Sequence, residues 1–144
     1  STMPLFMPPT VIDGRTFMDG GLGESWGILL DAARRDGFER FFIIRSQPRG
    51  YRKKPLRPAA QALFRAAFRT HPQVAERTIE RWRPYNALCD EVDRLEREGA
   101  AYVFHPDEMP VSNRETDHAK LSYDQGYAQA QREADAWEAW LQRG

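Results

Sequence analysis

The residues with the clearest chemical potential are 17–21, FMDGG, in which a carboxylate at the end of a short extended run is followed by two glycines. Glycine lets the backbone take positive φ angles and lets another segment or a substrate approach closely. Gly20 and Gly21 can therefore present Asp19 as a proton acceptor. The same residues can equally form a plain turn that ends a strand, because Asp and Gly both favour turns. Spacing alone leaves both interpretations open.

A hydrolytic site around Asp19 also needs a nucleophile. The serines are Ser1, Ser25, Ser46, Ser112 and Ser122. None of them lies in a Gly-x-Ser-x-Gly elbow, the strand-turn-helix device that exposes a serine hydroxyl. Phosphate-binding and dinucleotide-binding glycine motifs are also missing from the sequence. The residues thus supply a carboxylate without its nucleophile.

The remaining metal-binding and thiol side chains give no site. The three histidines, His71, His105 and His118, have no spacing that would bring two of them onto one face as metal ligands. Cys89 falls within a helical apolar pattern, which predicts a small buried thiol. We therefore expect neither a metal nor a cofactor.

Composition restricts the class of protein. The 144 residues fit one domain, and 41% of them are hydrophobic, enough for an ordinary core. The 21 basic and 21 acidic side chains balance, so no overall field attracts nucleic acid. No apolar run is long enough for a membrane span, and the start lacks a signal-peptide layout. We expect a cytoplasmic protein, with peripheral membrane contact left open.

The first half of the chain predicts a hairpin, a helix and a strand. Asp13-Gly14 between residues 11–12 and 15–18 is a strong hairpin signal, and Asp19 leaves its second strand. Residues 28–35 have a helical apolar stripe that ends before Gly37. The run Phe41–Ile44 predicts a strand that is buried on both faces, as in a parallel sheet covered by helices.

A basic loop follows that strand, over residues 45–55. Its candidate contacts for a phosphate group or an anionic membrane surface are Arg49, Tyr51, Arg52, Lys53 and Lys54. Cationic side chains are attracted to such surfaces, and tyrosine is enriched at membrane interfaces. A solvated loop without a ligand is the other interpretation of this charge run.

The second half is mainly helical. Pro58 begins one helix, Pro72 begins the next, and Pro84 implies either a kink or two helices that meet near Arg83. Residues 101–105 predict a second central strand, and a last helix begins at a cap on Thr116 or Asp117 and reaches Leu141. Strands that alternate with long helices indicate an α/β fold.

Several segments occur in an order that matches a known family. They are MPLFMPP at 3–9, IDG at 12–14, FMDGG at 17–21, IIR at 43–45, GYRKKP at 50–55, YN at 85–86, VSNR at 111–114 and YDQGY at 123–127. Taken together, this series resembles the C-terminal half of a bacterial patatin-like phospholipase. The resemblance extends over nearly the whole chain.

The resemblance implies a serine hydrolase of lipid acyl esters that uses a Ser-Asp dyad. Asp19 matches the dyad aspartate, and Gly20 and Gly21 complete its motif. Residues 1–144 then form the back half of a three-layer α/β/α domain, with a hairpin, two or more central strands and long C-terminal helices. The serine elbow and the glycine-rich oxyanion loop have no counterpart, so we expect the chain alone to be inactive. Many relatives have a proline near the position of Gly27, which leaves the local loop shape in doubt.

The same resemblance implies partners. The substrate of the complete enzyme is a lipid or another acyl ester, and either the missing N-terminal part or a second copy covers exposed edges. Leu5, Phe6, Met7 and the hairpin are expected to contact that neighbour. The alternative is a non-catalytic module that binds lipid or protein through residues 49–54. No contact with nucleic acid is expected.

Overall fold

The computed structural model describes residues 10–107 and 119–143, and these residues form a mixed α/β fold. The strands are β1 (Thr10–Ile12), β2 (Arg15–Phe17), β3 (Phe41–Ile44) and β4 (Ala101–Phe104). The helices are α1 (Leu30–Arg35), α2 (Pro58–Ala67), α3 (Pro72–Glu80), α4 (Trp82–Arg97) and α5 (Ala119–Gln142), with a single 3-10 turn at Gly20–Leu22. None of the described helices is both long and apolar enough to cross a membrane.

The described residues divide into two compact units. The first contains residues 10–39 and 52–93, and the second contains residues 40–51, 94–107 and 119–143. Helix α4 therefore belongs to the first unit as far as Asp93 and to the second from Arg94.

The first unit begins with the predicted hairpin. Strands β1 and β2 are antiparallel, with Thr10 opposite Phe17 and Ile12 opposite Arg15. The two turn residues, Asp13 and Gly14, have φ angles of 49° and 72°. Positive φ at both central positions is the requirement of the two-residue turn that matches strand twist, so Asp-Gly forms it readily. The hairpin is confirmed, and all six of its strand residues are exposed.

Helix α1 begins two residues later than the predicted range. Ile28 is still part of a turn, with its N–H bonded to the carbonyl of Ser25 at 2.9 Å, and the N-cap Leu29 has a ψ of 31°, outside the helical range. The predicted stop at Gly37 is confirmed, because its φ of 88° turns the chain so that the N–H of Phe38 bonds the carbonyl of Ala33 at 3.1 Å, and its own N–H bonds the carbonyl of Arg34 at 3.0 Å.

Proline positions fix the boundaries of the next three helices. Pro58 and Pro72 are the first residues of α2 and α3, as predicted. Helices α3 and α4 are separate, which confirms one of the two alternatives, but they meet at Arg81 instead of Arg83. Pro84 lies in the first turn of α4, where backbone N–H groups have no intrahelical acceptor.

Helix α4 carries the apolar face that its sequence predicts. Tyr85, Cys89, Val92 and Leu95 are buried and recur at helical spacing. Cys89 and Val92 have no exposed surface, so the prediction of a buried thiol is confirmed. Leu95 belongs to the second unit, and the further buried apolar residues of the first unit are Leu22, Leu30, Ala75 and Ile79.

The second unit is built on the parallel pair β3–β4. The register runs from Phe41 opposite Ala101 to Ile44 opposite Phe104, which confirms a parallel arrangement. Burial of β3 on both faces is wrong, because Phe42 is 38% exposed and Ile44 is 75% exposed. The reason is that each strand has one neighbour within the described residues, so the pair is too narrow to be enclosed.

Helix α5 packs along one face of this strand pair. Its Trp137 ring meets the edge of Phe42, whose own ring stacks on Tyr102 with the centroids 5.2 Å apart. Nearer the end of the helix, Trp140 Nε1 donates to the carbonyl of Gly99 over 3.2 Å. The helix is continuous through Gly126. Its predicted cap at Thr116 or Asp117 lies outside the described residues, as do Leu5, Phe6 and Met7.

Candidate functional site

The Asp-Gly-Gly motif forms the 3-10 turn directly after β2. Asp19 is the N-cap of this turn, and its Oδ1 accepts a hydrogen bond from the backbone N–H of Gly21 at 2.7 Å. The carbonyl of Asp19 accepts from the N–H of Leu22 at 3.0 Å. Within residues 10–107 and 119–143, no hydrogen bond reaches Oδ2. The half-buried carboxylate thus has one oxygen held by its own turn and one without a hydrogen bond to the described residues.

The two glycines of the motif have different surroundings. Neither has a positive φ, so the expectation that they free the backbone for such angles is wrong. Close approach is confirmed at Gly21, because a methyl group there would lie 2.3 Å from Nη2 of Arg81. The same methyl would be 3.1 Å from Oδ1 of Asp19, whereas one at Gly20 would meet open space. A side chain at position 21 would therefore displace the Arg81 guanidinium, whereas one at position 20 would not.

Two arginines at the C-terminal end of α3 hold this turn. Arg77 Nη1 donates to the carbonyl of Leu22 at 2.8 Å, and its guanidinium carbon lies 5.5 Å from the centroid of the Trp26 ring. Arg81, four residues later, places its guanidinium against Gly21. Leu22 is only 8% exposed, so an apolar anchor accompanies these polar contacts. The sequence analysis missed both arginines, because a pair of basic residues at helical spacing is common on solvated faces.

Arg81 also has an unusual local environment. Its Nε is buried and has no hydrogen-bond acceptor among the described residues. A buried donor without a partner costs about 1–3 kcal/mol of folding free energy, and such groups are often associated with function. The guanidinium of Arg81 instead packs against Gly21.

Two arginines of the basic loop, Arg49 and Arg52, are paired with carboxylates of α4. In the second unit, Arg49 makes a bidentate contact with Glu96, at 2.5 and 2.9 Å. In the first unit, Arg52 bonds Asp90 and Asp93, each at 2.6 Å. The hydrogen bond to Asp93 is the main cause that raises the pKa of Arg52 above its usual range. Both positive charges are compensated locally.

The lysines of the loop have different surroundings. The backbone of Lys53 is clamped by the side chain of Asn86, which accepts from its N–H at 2.9 Å and donates to its carbonyl at 3.0 Å. The ammonium of Lys53 lies 3.6 Å from the centroid of the Tyr85 ring. Lys54 is exposed, and Tyr51 is 36% exposed. Arg49 and Tyr51 belong to the second unit, whereas Arg52, Lys53 and Lys54 belong to the first.

A second polar cluster surrounds the end of β4. His105 is buried, its Nδ1 lies 3.1 Å from the carbonyl of Gln47, and its backbone carbonyl accepts from Gln129 Nε2 at 2.6 Å. Burial lowers the pKa of the His105 imidazole, with the charge of Arg49 acting in the same direction. Gln129 is 4% exposed, and the sequence analysis missed it because it interrupts an otherwise apolar helical stripe.

The other candidates add no chemistry to the turn. In the described part of the chain, no group of three or more His, Cys, Asp or Glu side chains has metal-binding geometry. Asp19 hydrogen-bonds no serine among these residues. Ser1, Ser112 and His118 lie outside them.

The comparison with protein families gives one match. Residues 71–142, half of the chain, match a family model described as a domain of unknown function, DUF6363. The chain belongs to the DUF6363 family. The DUF6363 match includes α3, α4, β4 and α5, and thus Arg77 and Arg81, whereas Asp19 lies before it. Comparisons with curated proteins and with solved structures give no match.

Proposed function

We propose that the chain is the C-terminal part of a patatin-like serine hydrolase, which cleaves carboxylic ester bonds of lipids with a Ser-Asp dyad. Asp19 is the proton acceptor of that dyad. The observation that carries the proposal is the asymmetric carboxylate, with Oδ1 fixed by the Gly21 N–H at 2.7 Å and Oδ2 without a bond among the described residues. The nucleophilic serine and the oxyanion donors belong to the N-terminal part of the complete protein.

The proposed chemistry assigns Asp19 the proton transfers. The serine oxygen attacks the ester carbonyl carbon while its proton passes to Oδ2, and the departing alcohol then takes that proton. Water attacks the acyl-enzyme, again gives its proton to Oδ2, and the serine oxygen leaves with it as the fatty acid is released. General acid–base catalysis of this kind contributes about 10²- to 10⁴-fold. The Gly21 bond favours catalysis because it keeps the acceptor oxygen in one orientation.

Features of both units support a larger α/β/α domain around this site. Strands β3 and β4 are parallel and are joined by a connection that contains α2, α3 and α4, as parallel strands require. Ile44 is 75% exposed and Val11 is 64% exposed, although aliphatic side chains on strands are normally covered. We propose that further strands and helices of the complete three-layer domain cover them.

The test is Asp19→Asn in the full-length protein, assayed with a short-chain nitrophenyl ester. Asparagine caps a turn as well as aspartate does, so the Gly21 bond and the fold are retained while the base is lost. We expect kcat to fall by about 10²- to 10⁴-fold. The matched control is Asp13→Asn, since asparagine tolerates the positive φ of that turn position. Activity of Asp19→Asn within twofold of the control would refute the proposal.

A further inference from the structure

We infer that Arg81 is a positioning residue for Asp19, acting through the backbone of Gly21. The catalytic meaning of this inference rests on the proposed function, but the structural coupling does not. Arg81 and Asp19 have no direct contact of their own within the described residues. They are linked because both approach the same side of Gly21, as the contacts of a methyl group at that position reveal.

The backbone of Arg81 is well fixed. Arg81 caps α3 with helical φ and ψ angles of −47° and −31°, and its carbonyl accepts from the N–H of Tyr85 at 3.2 Å. The side chain therefore leaves a defined point between two helices. Its Nε has no acceptor in the described part of the chain, so removal of the guanidinium breaks no bond of that nitrogen. The effect of a substitution should consequently be local to the turn that it contacts.

The turn is held by hydrogen bonds of its own and by two arginines. Gly21 donates to the Asp19 carboxylate, Leu22 to the Asp19 carbonyl and Gly23 to the Gly20 carbonyl, while Arg77 donates to the Leu22 carbonyl. The guanidinium of Arg81 lies on the side of Gly21 where a Cβ atom would project. Without it, the N–H of Gly21 gains freedom, and the carboxylate loses a fixed orientation.

The coupling predicts non-additive substitutions in the full-length enzyme. Gly21→Ala displaces the guanidinium, and Arg81→Ala removes it, so both perturb the same contact. We expect each to lower kcat by about 10- to 100-fold with little change in KM, as a misplaced catalytic group does. The double variant should be no slower than the slower single variant. A loss equal to the product of the two single losses would overturn the inference.

Two further variants test whether the effect requires a methyl group at position 21 and whether it requires the shape of the Arg81 side chain or only its charge. Gly126→Ala in α5 is the matched control, because a methyl group there meets open space, and it should retain wild-type kcat. Arg81→Lys keeps the charge but lacks the planar group that lies over Gly21, and it should resemble Arg81→Ala. Full activity of Arg81→Lys, or loss in Gly126→Ala comparable to that in Gly21→Ala, would contradict a contact-based role.

A spectroscopic readout distinguishes this inference from the proposed function. In the ¹⁵N-labelled 144-residue chain, Asp19→Ala removes the acceptor of the Gly21 N–H and should shift the Gly21 amide resonance, and this response should be smaller when Arg81→Ala is also present. The rest of the spectrum serves as the folding control. An unchanged Gly21 response in Arg81→Ala would refute the inference even if Asp19→Asn is inactive. Reduced response combined with a fully active Asp19→Asn would refute the proposed function and leave the coupling intact.

Discussion

Replacement of Gln129 by leucine is the sharpest test of how the second unit is held together. The side chain of Gln129 is 4% exposed and makes three hydrogen bonds. Its Nε2 donates to the His105 carbonyl at 2.6 Å and to Glu133 at 2.8 Å, and its Oε1 accepts from the N–H of Asp107 at 3.0 Å. Leucine preserves volume and helix propensity but satisfies none of these groups.

The expected loss of stability follows from which partners can reach water. Asp107 is exposed and Glu133 is half-buried, so their groups can bind solvent at a cost of about 0.5–1 kcal/mol each. The His105 carbonyl belongs to a buried residue, and its loss of a partner costs about 1–3 kcal/mol. The free energy of unfolding should therefore fall by about 2–5 kcal/mol, a large share of the roughly 5–15 kcal/mol typical of a domain.

The assay is urea unfolding followed by circular dichroism, with the denaturant slope compared as a check on two-state behaviour. The control is Gln131→Leu on the exposed face of the same helix, which should change the free energy of unfolding by less than about 0.5 kcal/mol. A second variant, Gln129→Glu, keeps an acceptor for Asp107 but sets a carboxylate against the His105 carbonyl. Equal stability of Gln129→Leu and Gln131→Leu would refute the reasoning.

Two other outcomes are expected. Because burial holds the pKa of His105 below its ordinary value of 6.5, the unfolded chain binds a proton more readily, and the free energy of unfolding should fall as pH decreases from 6.5 and stay level above it. His105→Gln should remove this pH dependence of the free energy of unfolding, whereas His71→Gln, at an exposed position, should not. An identical slope of the free energy of unfolding against pH below pH 6.5 in wild type and His105→Gln would contradict this prediction. The 144-residue chain alone should not hydrolyse nitrophenyl esters, since the proposed nucleophile lies elsewhere, and turnover that is abolished by Asp19→Ala would show this to be wrong.

Features with local causes could be predicted from the sequence. Asp13-Gly14 specifies its turn through the φ angles that both residues tolerate, and Pro58 and Pro72 specify helix starts because they lack a backbone donor. The apolar spacing from Tyr85 to Leu95 likewise gave the buried face of α4. In each case the information lies within one or two turns of chain.

Features that depend on distant partners could not be predicted in this way. The guanidinium that lies against Gly21 belongs to a residue 60 positions away, and nothing near Gly21 in the sequence indicates it. The charges of Arg49 and Arg52 resembled a free basic surface, but acidic residues of α4, about 40 positions later in the chain, compensate them. The local sequence pattern also does not indicate how many strands lie beside β3, so the predicted burial of β3 was too high.

The parallel pairing of β3 and β4 has a consequence for the order in which the chain folds. The paired residues are about 60 positions apart, as Phe41 and Ala101 illustrate. Closing a flexible loop of that length costs about 3–4 kcal/mol of chain entropy before any strand contact forms. Helices α2, α3 and α4 form from contacts that are nearby in sequence, and they shorten this loop as they form. The strand pair should therefore appear late in refolding, after the helical signal, and Phe41 and Val103 should be among the last residues to become protected.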